Sequence, residues 1–87
     1  MTSNPKDAPE IVPFGKVTDA AALGRLIRAR RKASGVTLAQ AAGLAGVGIR
    51  FLSELERGKA TASLGKTLHV LERFGLELYV EPRGARR

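Results

Sequence analysis

Apolar positions recur along this chain with two different periods. From residue 20 to residue 74 they return every three or four positions, in four separate blocks, as in helices that bury one side. Over Leu76–Glu81 they alternate instead: Leu76, Leu78 and Val80 share one side, and Glu77, Tyr79 and Glu81 the other. That is the period of a strand, closed by Pro82.

The first block predicts a helix from about Ala20 to Ser34, with Asp19 or Thr18 as N-cap and Gly35 as the stop. Its apolar arc holds Ala22, Leu23, Leu26, Ile27, Ala29 and Ala33. Arg25, Arg28 and Lys32 fall on the opposite arc, either as a solvated face or as contacts to a polyanion. Arg30 falls inside the apolar arc, so it must snorkel or find a carboxylate. The second block opens on Thr37-Leu38-Ala39-Gln40, a capping box, and ends near Ala45 with Gly46 in the turn. The third starts after Val47 with Gly48 at the N-cap, turns Leu52 and Leu55 inward, and leaves Ile49, Arg50, Ser53, Glu54 and Arg57 outward until Gly58. The fourth, capped by Ser63, runs from Leu64 to about Phe74 with Leu64, Leu68, Leu71 and Phe74 as its buried stripe, and Gly75 closes it.

A lone strand cannot satisfy its backbone in water. The apolar patch Ile11-Val12-Pro13-Phe14 is a poor mate because of Pro13, and is expected to dock on the core. The better mate is the same strand of a second copy across a two-fold axis, with Leu76, Leu78 and Val80 as dimerisation residues. The expected fold is therefore mainly α, a bundle of four to five helices with one C-terminal β-strand pairing across a homodimer. Its expected divisions are an N-terminal tail (1–17), the helical domain (18–75), the dimerisation strand (76–82) and a basic C-terminal tail (83–87). Residues 1–10 and 83–87 are expected to be disordered or mobile.

Composition narrows the function. Fifteen Lys/Arg against eight Asp/Glu give a net charge of +7, which favours a polyanionic partner, nucleic acid before membrane. There is no cysteine, one histidine (His69) and no carboxylate pair in a metal-ligand or glycine-rich pattern, so neither an enzyme, a metal site nor a cofactor is expected. No apolar run reaches the roughly 18 residues of a membrane span. The start MTSNPKDAPE lacks a signal pattern, so the expected location is cytoplasmic and nucleoid-associated. The aromatics are Phe14, Phe51, Phe74 and Tyr79; most are expected to be buried, which leaves no platform for stacking single-stranded bases.

Two short helices around a tight glycine turn, the second carrying Arg50 near its start, have the layout of a helix-turn-helix. The segments GVTLAQAAGLAGV (35–47) and LSELERGK (52–59), with the Arg28…Arg31…Gly35…Thr37 spacing, resemble the XRE family of phage-repressor-like regulators. The match covers about Leu23 to Gly75. The helices followed directly by Leu-Glu-Leu-Tyr-Val also resemble HipB-type antitoxins, dimers that bind operator DNA and a HipA-type kinase toxin. That resemblance implies a transcriptional repressor that autoregulates its operon as a dimer and neutralises a HipA-like kinase toxin.

Carried over by position, it places base contacts at Ile49, Arg50, Ser53 and Glu54, and phosphate contacts at Thr37, Leu38, Gln40, Arg57 and Lys59. Arg50 can donate twice to a guanine, whereas Ile49 can offer a thymine methyl only apolar contact. Glu54 can accept from cytosine or pair with a nearby arginine. The free amides at the Thr37 helix start suit a phosphate. The resemblance also implies a structural ion pair between Arg31 and Glu56, with Arg30 as the rival for Glu56. Leu38 stands where the family usually has glutamine, and Gly48 where it usually has serine, so two contacts are missing. The sequence holds no toxin-binding motif. A stand-alone phage-repressor-like regulator and a protein-interaction module that does not read DNA therefore stay open as alternatives.

Overall fold

The computed structural model describes residues 15–84. The Ile11–Phe14 patch, most of the expected N-terminal tail and residues 85–87 lie outside the described residues. Four helices are present among those described: α1 (Ala20–Ala33), α2 (Leu38–Ala45), α3 (Ile49–Glu56) and α4 (Leu64–Arg73).

Side chains start three of them by accepting from otherwise orphaned amides. Asp19 Oδ1 accepts from the Ala22 amide at 2.8 Å. Thr37 Oγ1 accepts from the Gln40 amide at 3.1 Å while Gln40 Oε1 accepts from the Thr37 amide at 2.8 Å, closing the capping box. Ser63 Oγ accepts from the Lys66 amide at 3.2 Å. Gly48 gives α3 no side-chain cap, so that helix start depends on packing.

All four helices stop alike. Gly35, Gly46, Gly58 and Gly75 each take a left-handed φ between 69° and 89°. The amide after each donates back across the last turn: Val36 to Arg31, Val47 to Ala42, Lys59 to Glu54 and Leu76 to Leu71. These bonds satisfy carbonyls that the helix leaves open.

Helix α1 lies across α3, and α2 packs on both α3 and α4. The core is Ile27 from α1, Ala41, Ala42 and Ala45 from α2, Leu52 and Leu55 from α3, and Val70 and Leu71 from α4. The three alanines let the short α2 sit close to both neighbours. At the α1–α3 crossing the close approach depends on Gly24, where a Cβ would lie 2.5 Å from the Leu55 carbonyl oxygen and 2.6 Å from that of Glu56. Gly24 was not among the expected core positions, yet it is one of the two buried residues of α1, with Ile27.

The structure corrects several expectations. Ala33, the last residue of α1, is exposed. The stripe Leu64–Leu68–Leu71–Phe74 is not the buried side of α4: Leu64 is 68% exposed and Leu68 43%. The side turned inward is Thr67, Val70 and Leu71, with Phe74 half-buried beside them. Thr67 can enter the core because its hydroxyl donates to the Ser63 carbonyl at 2.7 Å, leaving no unpaired polar atom. Of the aromatics expected to be mostly buried, Phe51 and Phe74 are half-buried, Tyr79 is 78% exposed, and Phe14 lies outside the described residues.

After α4, the chain through Leu76–Glu81 has no regular secondary structure, and among the described residues there is no strand. The single chain offers this segment no ladder partner. Leu78 and Val80 are 45% and 95% exposed.

Candidate nucleic-acid interface

The turn between α2 and α3 is only three residues, Gly46–Gly48, and places two eight-residue helices in a helix-turn-helix. Successive residues of a helix turn by about 100°. On α3 that rotation puts Leu52, Leu55 and Glu56 on the buried side and gathers Ile49, Arg50, Ser53, Glu54 and Arg57 on the opposite arc. The structure keeps this arc accessible to different degrees. Ile49 is 50% exposed, the Arg50 side chain is 89% exposed, Arg57 is exposed, and Ser53 and Glu54 are half-buried.

Glu54 sits between two cations. Lys59 Nζ donates to its Oε1 at 3.0 Å, and Arg50 Nε lies 3.5 Å from its Oε2, one helical turn back. The hydrogen bond from Lys59 and the charges of Lys59 and Arg50 hold the Glu54 carboxyl below its usual range, against a smaller opposing effect of desolvation. Arg50 and Lys59 are thus held beside each other on the outer side of α3, with Glu54 between them.

At the start of α2, Thr37 and Gln40 are exposed and Leu38 is half-buried. The capping box occupies acceptor oxygens of Thr37 and Gln40 but leaves the Thr37 hydroxyl hydrogen and the Gln40 Nε2 hydrogens as donors. Leu38 has only its backbone N–H to offer. The amides of Leu38 and Ala39 have no acceptor among the described residues.

Behind this surface is a bidentate ion pair. Arg31 Nε and Nη2 donate to Glu56 Oε2 and Oε1 at 2.7 and 3.0 Å, and Nη1 donates to the Val36 carbonyl at 3.1 Å. The side chains are 11% and 4% exposed. The hydrogen bonds to Glu56 raise the Arg31 pKa, with its charge adding and burial opposing. This arrangement ties α1, the α1–α2 turn and the end of α3 into one unit. Arg30, the rival for Glu56, goes elsewhere: its Nε donates to the Phe74 carbonyl at 2.8 Å and caps the end of α4. A cation at a helix C-terminus is doubly favourable, since it meets an open carbonyl and the negative end of the helix dipole.

His69 is exposed, and among the described residues no cluster of three or more His, Cys, Asp or Glu could hold a metal ion. No described helix is long and apolar enough to cross a membrane. Lys66 Nζ covers the Phe51 ring at 5.4 Å from its centroid, so that ring is not a free stacking platform.

A second surface was not legible in the expected buried stripe. Leu68 and Leu71 of α4 and Leu76 and Leu78 of the following segment line an open groove of about 350 Å³. Leu64 adds exposed apolar area one turn before Leu68 on the same helix. The signal was present in the sequence as the Leu64–Leu68–Leu71 spacing, but it marked a side open in the single chain.

Helix order, glycine stops and a short turn between α2 and α3 define a helix-turn-helix protein, and a model of the helix-turn-helix domain family matches residues 22–78. The chain belongs to that family and is a regulator of the XRE type. It is 40% identical over 72 residues to an uncharacterized HTH-type transcriptional regulator, y4mF, of Sinorhizobium fredii (strain NBRC 101917 / NGR234), covering 83% of this chain and 95% of that one. Among solved structures it is similar to HipB in complex with an O4 20mer (18% identity, TM-score 0.72, covering 80% of this chain and 99% of that one). It is equally similar to a HipB point variant in complex with an O2 20mer (20% identity, TM-score 0.72, covering 80% and 97%). At such identity the likeness establishes a shared fold.

Proposed function

We propose that this protein is a sequence-specific DNA-binding repressor that acts as a homodimer, with α3 in the major groove of its operator. The observation that carries the reading is the outer side of α3 within a helix-turn-helix, where Arg50 is 89% exposed and held beside Lys59 by Glu54. Arg50 is the guanine reader, Ile49 and Ser53 lie beside it, and Glu54 orients it or accepts from a cytosine. Thr37, Gln40, the Leu38 amide, Arg57 and Lys59 hold phosphates and set the register.

Dimerisation is supported by the apolar groove. Leu68, Leu71, Leu76 and Leu78 line a groove that a second copy would cover, with Leu64 and Val80 exposed outside it and the 76–82 segments pairing as a two-stranded ribbon. A dimer of this kind places two recognition helices on half-sites about one helical turn apart.

The test is a shift assay on a duplex of the gene's own promoter, with a scrambled duplex of equal length as the reference. Arg50→Ala should lose roughly 1–3 kcal/mol of discrimination between the two. Lys59→Ala should weaken both alike. Equal affinity of the unaltered protein for both duplexes at moderate salt would overturn the reading.

Within this function we place the chain as the antitoxin of a HipBA-like pair, autoregulating its operon and neutralising a HipA-like kinase. Support comes from the HipB-like fold and the Leu-Glu-Leu-Tyr-Val segment that follows α4. Co-purification with a kinase-like product of the adjacent gene supports it. A locus with no such gene favours a stand-alone regulator.

A further inference from the structure

Between α1 and α3 lies an open cleft of about 520 Å³. Arg25 and Arg28 from α1 and Arg57 from the end of α3 line it, with Ser53 and Leu38 at the side nearest the start of α2. Arg31 and Glu56 also line it, but they neutralise each other. Arg25, Arg28 and Arg57 are all exposed, and none has a carboxylate within ion-pair distance among the described residues.

Three guanidinium groups around one concavity repel one another. A merely solvated helix side has no reason to turn its charges toward a shared cleft with the end of another helix. Lys32, one turn beyond Arg28 on α1, is exposed but does not line the cleft. The cleft is continuous with the outer arc of α3 through Ser53 and Arg57, and with the two acceptor-less amides at the start of α2 through Leu38. The Ser53 hydroxyl adds a donor there.

We infer that α1 is part of the DNA interface: Arg25 and Arg28, with Arg57, hold a single backbone phosphate in this cleft beside the groove read by α3. The inference rests on the DNA-binding reading above and extends it to a helix outside the helix-turn-helix. Arginine suits the role because its planar fork can give a phosphate two parallel hydrogen bonds. The contact carries no sequence information; it fixes how deeply and at what angle α3 enters the groove.

The experiment measures affinity for a scrambled duplex as a function of salt, because phosphate contacts do not depend on sequence. Each phosphate neutralised contributes about 0.9 to the slope of log K against log salt. Arg25→Ala with Arg28→Ala should lower the slope magnitude by up to about 0.9 per protomer, up to roughly 1.8 per dimer, without lowering the melting point. Arg83→Ala, which removes a described charge outside the cleft, should leave the slope unchanged.

Salt-dependent binding by the unaltered protein with the same slope in the double variant would overturn the α1 contact and leave the DNA reading standing. A slope lowered equally by Arg83→Ala would also overturn it, because net charge alone would then explain the loss. If the unaltered protein shows no salt-dependent binding, the DNA reading and this inference fall together.

Discussion

Replacing Arg31 by methionine should destabilise the protein far more than removing a surface charge. The substitution keeps most of the aliphatic stem but strands the Glu56 carboxylate, whose side chain is only 4% exposed. It also removes both hydrogen bonds that the carboxylate accepts from Arg31 and the one that Arg31 donates to the Val36 carbonyl. Breaking a buried pair from one side costs about 3–5 kcal/mol, because a charge remains without a partner or water. A chain of 87 residues has a total stability on the order of 4–13 kcal/mol, so the loss is a large share of it. At about 4–8 °C per kcal/mol for a domain of this size, the melting point should fall by at least roughly 12 °C.

The double variant Arg31→Met, Glu56→Leu should recover most of that loss, since replacing a buried pair by apolar groups is often neutral. What remains should be about 1 kcal/mol for the Val36 carbonyl left without its donor. The assay is urea unfolding followed by circular dichroism, at one fixed protomer concentration because dimerisation would add to apparent stability. High salt should not erase the difference, because a buried pair is weakly screened. A loss below about 1 kcal/mol in Arg31→Met, the value typical of exposed pairs, would refute the reasoning. A double variant no better than the single would refute it too.

Three other outcomes follow from the packing and charge. Gly24→Ala should destabilise at or above the upper end of roughly 1–3 kcal/mol for an overpacked core, because the new Cβ meets backbone oxygens 2.5–2.6 Å away rather than a side chain that can move; urea unfolding reads it. Leu68→Asp should shift the protein to monomer in sedimentation while keeping its helical signal, since Leu68 is 43% exposed and lines the groove; an unchanged dimer would exclude the α4 face. The Glu54 carboxyl should titrate by NMR below an ordinary glutamate. Its lowered native pKa means that its contribution to stability is present above the unfolded value and lost as pH falls through the native one, a dependence that Glu54→Gln should abolish.

Much of this protein is local and could be read directly. Helix starts follow from Asp19, Thr37 with Gln40, and Ser63, because each cap is a bond between residues three apart. Helix ends follow from Gly35, Gly46, Gly58 and Gly75, because only a residue without a Cβ takes that φ at little strain. The outward set of α3 follows from the 100° rotation once Leu52 and Leu55 are known to be inside.

What the tertiary structure decided was the choice among sides that local pattern left equivalent. Helix α4 has two overlapping apolar arcs that share Leu71, one through Leu64 and Leu68 and one through Val70 and Phe74; packing against α2 selected the second and left the first open. A threonine joined the chosen side only because Ser63 offers its carbonyl. The fates of Arg30 and Arg31, adjacent cations of one helix, diverged toward a carbonyl 44 residues away and a carboxylate 25 residues away. Rotation along the helix separates Arg30, inside the apolar arc, from Arg31 at its edge, but it does not say which partner each one meets. Gly24 reads as an ordinary helix interruption until α3 is laid against it. Caps and periods are set by neighbours in sequence, whereas burial and ion pairing depend on which distant backbone arrives, and that is fixed only when the helices cross.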